Sequence, residues 1–286
     1  MDFGLSSNLI YNLIYFFVFL FGLAVGSLLN CIIYRLQTNE SFLKGRSYCP
    51  HCHHTLTWKD LIPILSFLIL KGKCRYCGKK ISRQYPLVEF FTAFTFLLIW
   101  VNFYAIAQMF NLFFYLIISC LLIVIFVYDL KHYIIPDKII YPAILVAFFY
   151  RLFGILKFGH WNFFGNWELE IGNFQPLLNG LLSAFLASLF FLAIFLISRG
   201  KWLGFGDIKL AFLIGLFLGF PKILVSLFFA YLIGAIIGIG LILKKKKTLK
   251  SEVPFGPFLV AGTFIALFFG NQIINWYLNF INFSIW

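Results

Sequence analysis

Apolar residues fall into long blocks with few polar interruptions: 9–33, 86–105, 110–130, 138–157, 177–198, 204–220, 222–243 and 254–271. All but 204–220 reach the roughly 18 residues that a helix needs to cross hydrocarbon ~30 Å thick. A spanning segment must satisfy its own backbone polar groups, and the alternating pattern of a membrane barrel is missing, so helices are expected. The pattern predicts an all-α polytopic membrane protein with about eight transmembrane helices. The block 204–220 is short, glycine-rich and contains Asp207. No Lys or Arg precedes the first block, which is also too long for a cleavable signal peptide, so it is expected to stay as a span.

Only residues 34–85 are polar enough for a soluble domain. The expected organisation is a first transmembrane helix (1–33), a loop domain (34–85) and a transmembrane region (86–286). Composition agrees: 62% hydrophobic, 12% charged, 40 Phe. With eight spans and the N-terminus outside, every Lys and Arg but Arg151, Lys157 and Lys222 falls on or near the inner loops, as the positive-inside rule requires. The opposite orientation would put the lysine run 244–247 outside. The net charge of +13 therefore reads as anchoring against anionic lipid, with no nucleic-acid role. The aromatic segment WNFFGNWELEIGNF is expected as an interfacial ledge on the outer side.

The loop domain carries ten of the Lys and Arg and two CxxC pairs, Cys49/Cys52 and Cys74/Cys77, separated by 21 residues. Two such turns present four sulfurs to one tetrahedral ion, and Zn(II) takes this thiolate set in closed, structural sites. A disulfide pair fits poorly with a reducing cytoplasm, and a redox CxxC is a further alternative. His51, His53 and His54 are possible substitute ligands. Cys31 and Cys120, inside apolar runs, read as packing residues.

Of ten acidic residues, few sit at membrane depth. Asp129 ends the third block and Asp207 opens the sixth. Spans an odd number apart run in opposite directions, so the two carboxylates fall on the same, cytoplasmic side. Two carboxylates sharing one water share a proton, one acting as base and the other as acid. Gly204 and Gly206 of GFGD remove side chains where a substrate backbone or a partner helix comes close. Other readings stay open. Asp207 could cap its helix with Lys209 neutralising it, Asp129 could pair with Lys131 or His132, and Asp137 suits an N-cap. A paired-acid cation site in a transporter is the competing class.

Ordered along the chain, GSLLNCIIYRL (26–36), the two CxxC pairs, LTWKDLIPILSFLILKGKCRYCGKKIS (56–82), QYPLVEFFTA (84–93), DLKHYIIPDKIIYP (129–142), GFGDIKL (204–210) and PFGPFLVAG (254–262) resemble the prepilin leader peptidases of bacterial type IV pilus, competence and type II secretion systems. The resemblance covers nearly the whole chain. It implies an intramembrane aspartyl protease of the cytoplasmic membrane with catalytic Asp129 and Asp207, supported by Gly204, Gly206 and Lys209. It implies prepilin and pseudopilin substrates cut after a glycine that follows a basic leader. It also implies N-methylation of the new N-terminus from S-adenosylmethionine, with Glu89 as a candidate participant. Glu89 could instead balance Lys79, Lys80 or Arg83, and no dinucleotide fingerprint is present. Gln37 stands where many members have proline. Full-length members share the tetracysteine pattern, which favours zinc at Cys49, Cys52, Cys74 and Cys77. A basic leader meeting a basic loop raises the question of whether Glu40, Asp60 and Glu89 cluster to receive it.

Overall fold

The computed structural model describes residues 3–38, 40–41, 45–103, 109–154, 156–158, 169–171, 174–244 and 253–284. All eight apolar blocks are helical. These helices are α1 (Phe3–Thr38), α3 (Gln84–Phe103), α4 (Met109–His132), α5 (Asp137–Phe153), α6 (Gln175–Ser198), α7 (Phe205–Leu218), α8 (Lys222–Leu243) and α9 (Gly256–Ser284), with a short α2 (Leu65–Ile69) in the polar interval. Six of them (α1, α3, α4, α6, α8 and α9) are long and apolar enough to cross a membrane, while α5 and α7 fall short in length.

Several edges differ from the sequence expectation. Helix α1 runs past 33 to Thr38, because Arg35 is buried there and donates to the carbonyls of Ser41 and Gly45, both at 3.0 Å. Helix α9 continues well past 271, to Ser284. Helix α5 stops at Phe153, and residues 156–158 pair instead as a strand, β1, with β2 (169–171). Most of the aromatic segment expected as a ledge lies outside the described residues.

The chain divides into two compact units, Met1–Val124 and Ile125–Trp286. In the first, α3 packs along α1. Gly22 and Gly26 share one face of α1, and a Cβ on either would stand 2.5 Å from the Cα of Ala93 or 2.6 Å from that of Glu89. Lipid gives helices no hydrophobic reason to associate, so close backbone approach over small residues supplies the attraction.

In the second unit, α7 is ringed by α5, α6, α8 and α9. Nearly every residue from Asp207 to Phe217 is buried. An all-round apolar helix belongs in such a centre. Its 14 residues cover only about 21 Å at 1.5 Å per residue, and the backbone groups at a buried helix end need protein partners. At the C-terminal end, Arg151 supplies them, donating to the Leu216 carbonyl at 2.9 Å and the Phe217 carbonyl at 2.8 Å. Asn179 exchanges two hydrogen bonds with the Phe220 backbone, 2.7 and 3.0 Å. Within the ring, α8 and α9 pack with Ser226 and Thr263 hydrogen-bonded at 3.2 Å in the buried seam.

Arg151→Leu leaves two carbonyls of α7 without those donors. The protein should lose about 1–3 kcal/mol of stability, read as a lower thermal midpoint in detergent, with Arg151→Lys restoring only part.

Candidate active site

Asp129 lies in the last turn of α4. That helix ends at His132, and Tyr133 then takes a left-handed conformation, φ 58°, with its N–H closing on the Asp129 carbonyl at 2.9 Å. A bulky residue there is strained, and strain of this kind persists only where the surroundings enforce it. The turn sends the chain back through Ile135 into α5.

The Asp129 carboxylate accepts a hydrogen bond from the N–H of Gly256, the first residue of α9. A side chain at 256 is excluded, because its Cβ would collide with Asp129 Oδ2. Behind Gly256, Phe255 packs on Tyr231 at 5.0 Å and on Phe191 at 5.9 Å, fixing the start of α9. Asp207 repeats the arrangement at the start of α7, where its Oδ2 accepts from the N–H of Gly204 at 3.1 Å. Each carboxylate thus rests on a glycine N–H at a helix N-terminus, where the unpaired donors and the helix dipole favour negative charge.

The two side chains are 4% and 7% exposed, and among the described residues neither enters an ion pair. They are close enough for the charge of Asp129 to act on Asp207. Ile135 lies against both glycine sites. A Cβ at Gly206 would stand 3.0 Å from its Cβ, and one at Gly256 would stand 3.4 Å from its Cδ1. What approaches Gly206 is therefore the Ile135 side chain. The end of α7 that carries Asp207 is open, with Gly204 and Phe205 exposed.

Lys209 does not neutralise Asp207. Its ammonium bonds Asp137 at 2.6 Å and lies over the rings of Tyr141 and Phe205. Asp137 is the first residue of α5 and not its N-cap, which is Pro136. His132 stacks on Tyr128 at 4.5 Å. The functional position that sequence reasoning left unassigned is Gly256. Its signal was the repeat of aromatic-glycine before a helix, in GFGD and again in PFGP.

In the first unit, the Sγ atoms of Cys49, Cys52, Cys74 and Cys77 all lie within 4.8 Å of one another, with Cys49 and Cys77 at 3.9 Å. Sulfurs at Zn–S distances of ~2.3 Å around a tetrahedron stand about 3.8 Å apart, so this set has the geometry to hold a metal ion. All six cysteines are free, which removes the disulfide alternative here. The two turns are copies of each other. Cys49 N–H bonds the His54 carbonyl and Cys74 N–H the Lys79 carbonyl, while His53 and Gly78 take the left-handed position after each second cysteine. Burial disfavours the Cys49 thiolate, but the backbone N–H groups of Cys52 and His51 outweigh it and bring the thiol to about 7. The Lys79 N–H favours the Cys77 thiolate, but burial and the neighbouring thiols carry it to about 11. The histidines are not part of the group: His53 stacks on Tyr48 and His54 on Tyr76.

The acids of this unit do not cluster. Glu40 takes the Tyr48 hydroxyl at 2.6 Å. Asp60 binds the second cysteine turn, accepting from Arg75 Nε at 2.7 Å and the Tyr76 hydroxyl at 3.2 Å, and also from Thr57. Glu89 is buried, with no basic partner among the described residues. Its Oε2 accepts the Ile64 N–H at 2.7 Å, and the carboxylate is also hydrogen-bonded by Ser27.

Two family models match the chain, the bacterial peptidase A24 N-terminal domain over residues 20–103 and the type IV leader peptidase family over 116–239. Among similar proteins, a prepilin leader peptidase/N-methyltransferase of Bacillus subtilis is 34% identical, over 91% of this chain and 96% of its own. Its namesake in Legionella pneumophila is 32% identical, over 93% and 95%. That of Aeromonas salmonicida is 31% identical, over 92% and 94%. No solved structure matches.

Asp60 generates a pH test. Burial opposes its ionisation, but Arg75, Thr57 and Tyr76 hold the carboxyl down to about 2, against an unfolded value near 4. A depressed carboxyl stabilises the fold fully above the unfolded value and loses that contribution as pH falls through the folded one. The difference in thermal midpoint between wild type and Asp60→Asn should be largest near neutrality and shrink steadily from about pH 4 to pH 2.

Proposed function

The chain belongs to the type IV leader peptidase family, and from that premise we propose that it cleaves the basic leader from prepilins and pseudopilins and methylates the new N-terminus. The observation that carries the peptidase reading is the matched seating of Asp129 and Asp207, two buried and unpaired carboxylates on glycine N–H groups at helix N-termini.

In the mechanism, the ionised member of the pair takes a proton from a water while that water's oxygen attacks the scissile carbonyl carbon. The protonated member gives its proton to the carbonyl oxygen, forming a gem-diol. Collapse of the diol breaks the C–N bond, and the departing amine takes a proton from the pair. The nucleophile is the water that the pair activates, so no covalent intermediate forms. The substrate helix unwinds locally to free its carbonyl from its own hydrogen bond. Gly204 orients Asp207, Gly206 admits Ile135, and Lys209 ties the start of α5 to α7 through Asp137.

We place all eight helices across the bacterial cytoplasmic membrane, with α5 and α7 completed by their neighbours. The charge count puts residues 34–85 and both aspartates at the cytoplasmic face. The four cysteines hold a structural Zn(II), which would fold the module and supply no chemistry to cleavage. S-adenosylmethionine, when bound, would supply the methyl group. Glu89, committed to Ile64 and Ser27, does not by itself fit that cofactor, and its role is to fix the module to α3.

Four measurements test this. Intact mass of a co-expressed prepilin-like protein should show loss of the leader and gain of one methyl with wild type. Asp129→Asn or Asp207→Asn should slow cleavage by about 10²–10⁴-fold with the protein still inserted; full cleavage by either would sink the dyad. Gly256→Ala, whose Cβ lands on Asp129, should also abolish cleavage without loss of fold. Metal analysis of the purified protein should find one zinc per chain, lost in Cys74→Ser together with protease resistance of residues 45–83.

A further inference from the structure

The polar interval carries an apolar surface that the proposed chemistry does not use. Helix α2 presents Leu65, Leu68 and Ile69 on one side, at positions i, i+3 and i+4, and Leu68 and Ile69 are 63% and 65% exposed. Leu61 and Trp58, the latter 71% exposed, are further exposed apolar residues just before it in the chain. Lys59, Lys71 and Lys73 are exposed beside it, Lys59 over the Trp58 ring at 5.6 Å. A continuous apolar patch with a basic rim marks an interaction surface.

The depth of this patch is fixed by one hydrogen bond. Glu89 lies inside the membrane-crossing helix α3, about 7 Å along its axis from Gln84 at 1.5 Å per residue. Its carboxylate holds the Ile64 N–H at 2.7 Å, on the residue just before α2. Ile64 itself adopts φ 57°, a costly conformation for a β-branched residue. The strained turn is thus pinned to a residue inside the candidate span Gln84–Phe103 and not to its end.

We propose that residues 58–73 form a monotopic membrane contact, in which α2 and Leu61 enter the acyl boundary, Trp58 sits among the headgroups, and Lys59, Lys71 and Lys73 meet anionic phosphate. An amphipathic segment with aromatic and basic residues binds such a boundary through its apolar area and its charge together. The module is then laid on the membrane instead of extending into water, which holds the copied cysteine turns close to the bilayer surface.

Unmodified full-length protein in phosphatidylcholine vesicles containing phosphatidylglycerol with a diazirine on the acyl chain tests the contact. Illumination and mass mapping should find lipid adducts on residues 58–69, at levels comparable with α3, and none on Tyr76 to Lys80. Adduct yield on 58–69 should fall when the diazirine lipid is phosphatidylcholine in vesicles lacking anionic lipid. Leu68→Asp combined with Ile69→Asp should remove the adducts here and leave those on α3. Label confined to the long helices would overturn the proposal. So would label that disappears when a prepilin is added, since the surface would then belong to the substrate. Neither readout depends on proteolysis, so failure of the peptidase reading would leave this result intact.

Discussion

A helix too short for its surroundings governs the second unit. Helix α7 lies at the centre, and protein groups meet its backbone at both ends. Arg151 supplies donors to two carbonyls at one end, Asn179 holds the chain just beyond it, and the helix's own aspartate accepts the Gly204 N–H at the other end. Asp207 therefore has two duties. It completes the N-terminus of a buried helix, and its second oxygen remains for other work. The bland reading of Asp207 as a capping residue and the reactive one are the same geometry seen from two sides.

This economy recurs at Asp129, which does for α9 what Asp207 does for α7. The fold brings the starts of two helices together and gives each a carboxylate from the first turn or from a neighbouring helix. Ile135 fills the space both glycines leave, so the strained turn at Tyr133 is held by packing on either side. A buried acid without a cation would ordinarily be expensive. Here one backbone donor to each acid offsets part of that cost, and the pair keeps its freedom to exchange a proton.

Much of this was legible in the sequence, for physical reasons that can be named. Long apolar blocks leave no alternative to helices, and helices stand at all eight, of which six are long and apolar enough to cross a membrane. The paired CxxC spacing led to four sulfurs around one point. Asp129 and Asp207 could be put at one level because antiparallel spans alternate. What was not legible depended on partners distant in sequence. Lys209 is two residues from Asp207 and suggested a neutralising neighbour, yet its longer reach takes it to Asp137. Glu89 sits near several basic residues and uses none of them, because its helix face turns towards α1 and the Ile64 backbone. Gly256 showed only as a repeat of the aromatic-glycine pattern before a helix, and the carboxylate that occupies the space beside it comes from a distant part of the chain. The extension of α9 to Ser284 lies in mixed aromatic and polar sequence, where apolar blocks stop being informative before the helix does.

The ring around α7 also decides which parts of the molecule the bilayer can act on. Acyl chain length exerts its force on whatever surface touches lipid, through hydrophobic mismatch and tilt. In the second unit that surface belongs to the outer helices, among them α6, α8 and α9, each long enough to lean or straighten as the bilayer thins or thickens. Helix α7, sealed within them and fastened at both ends, is insulated from that pressure. Its length is therefore set by the carboxylate it must deliver and not by the thickness of the membrane it inhabits.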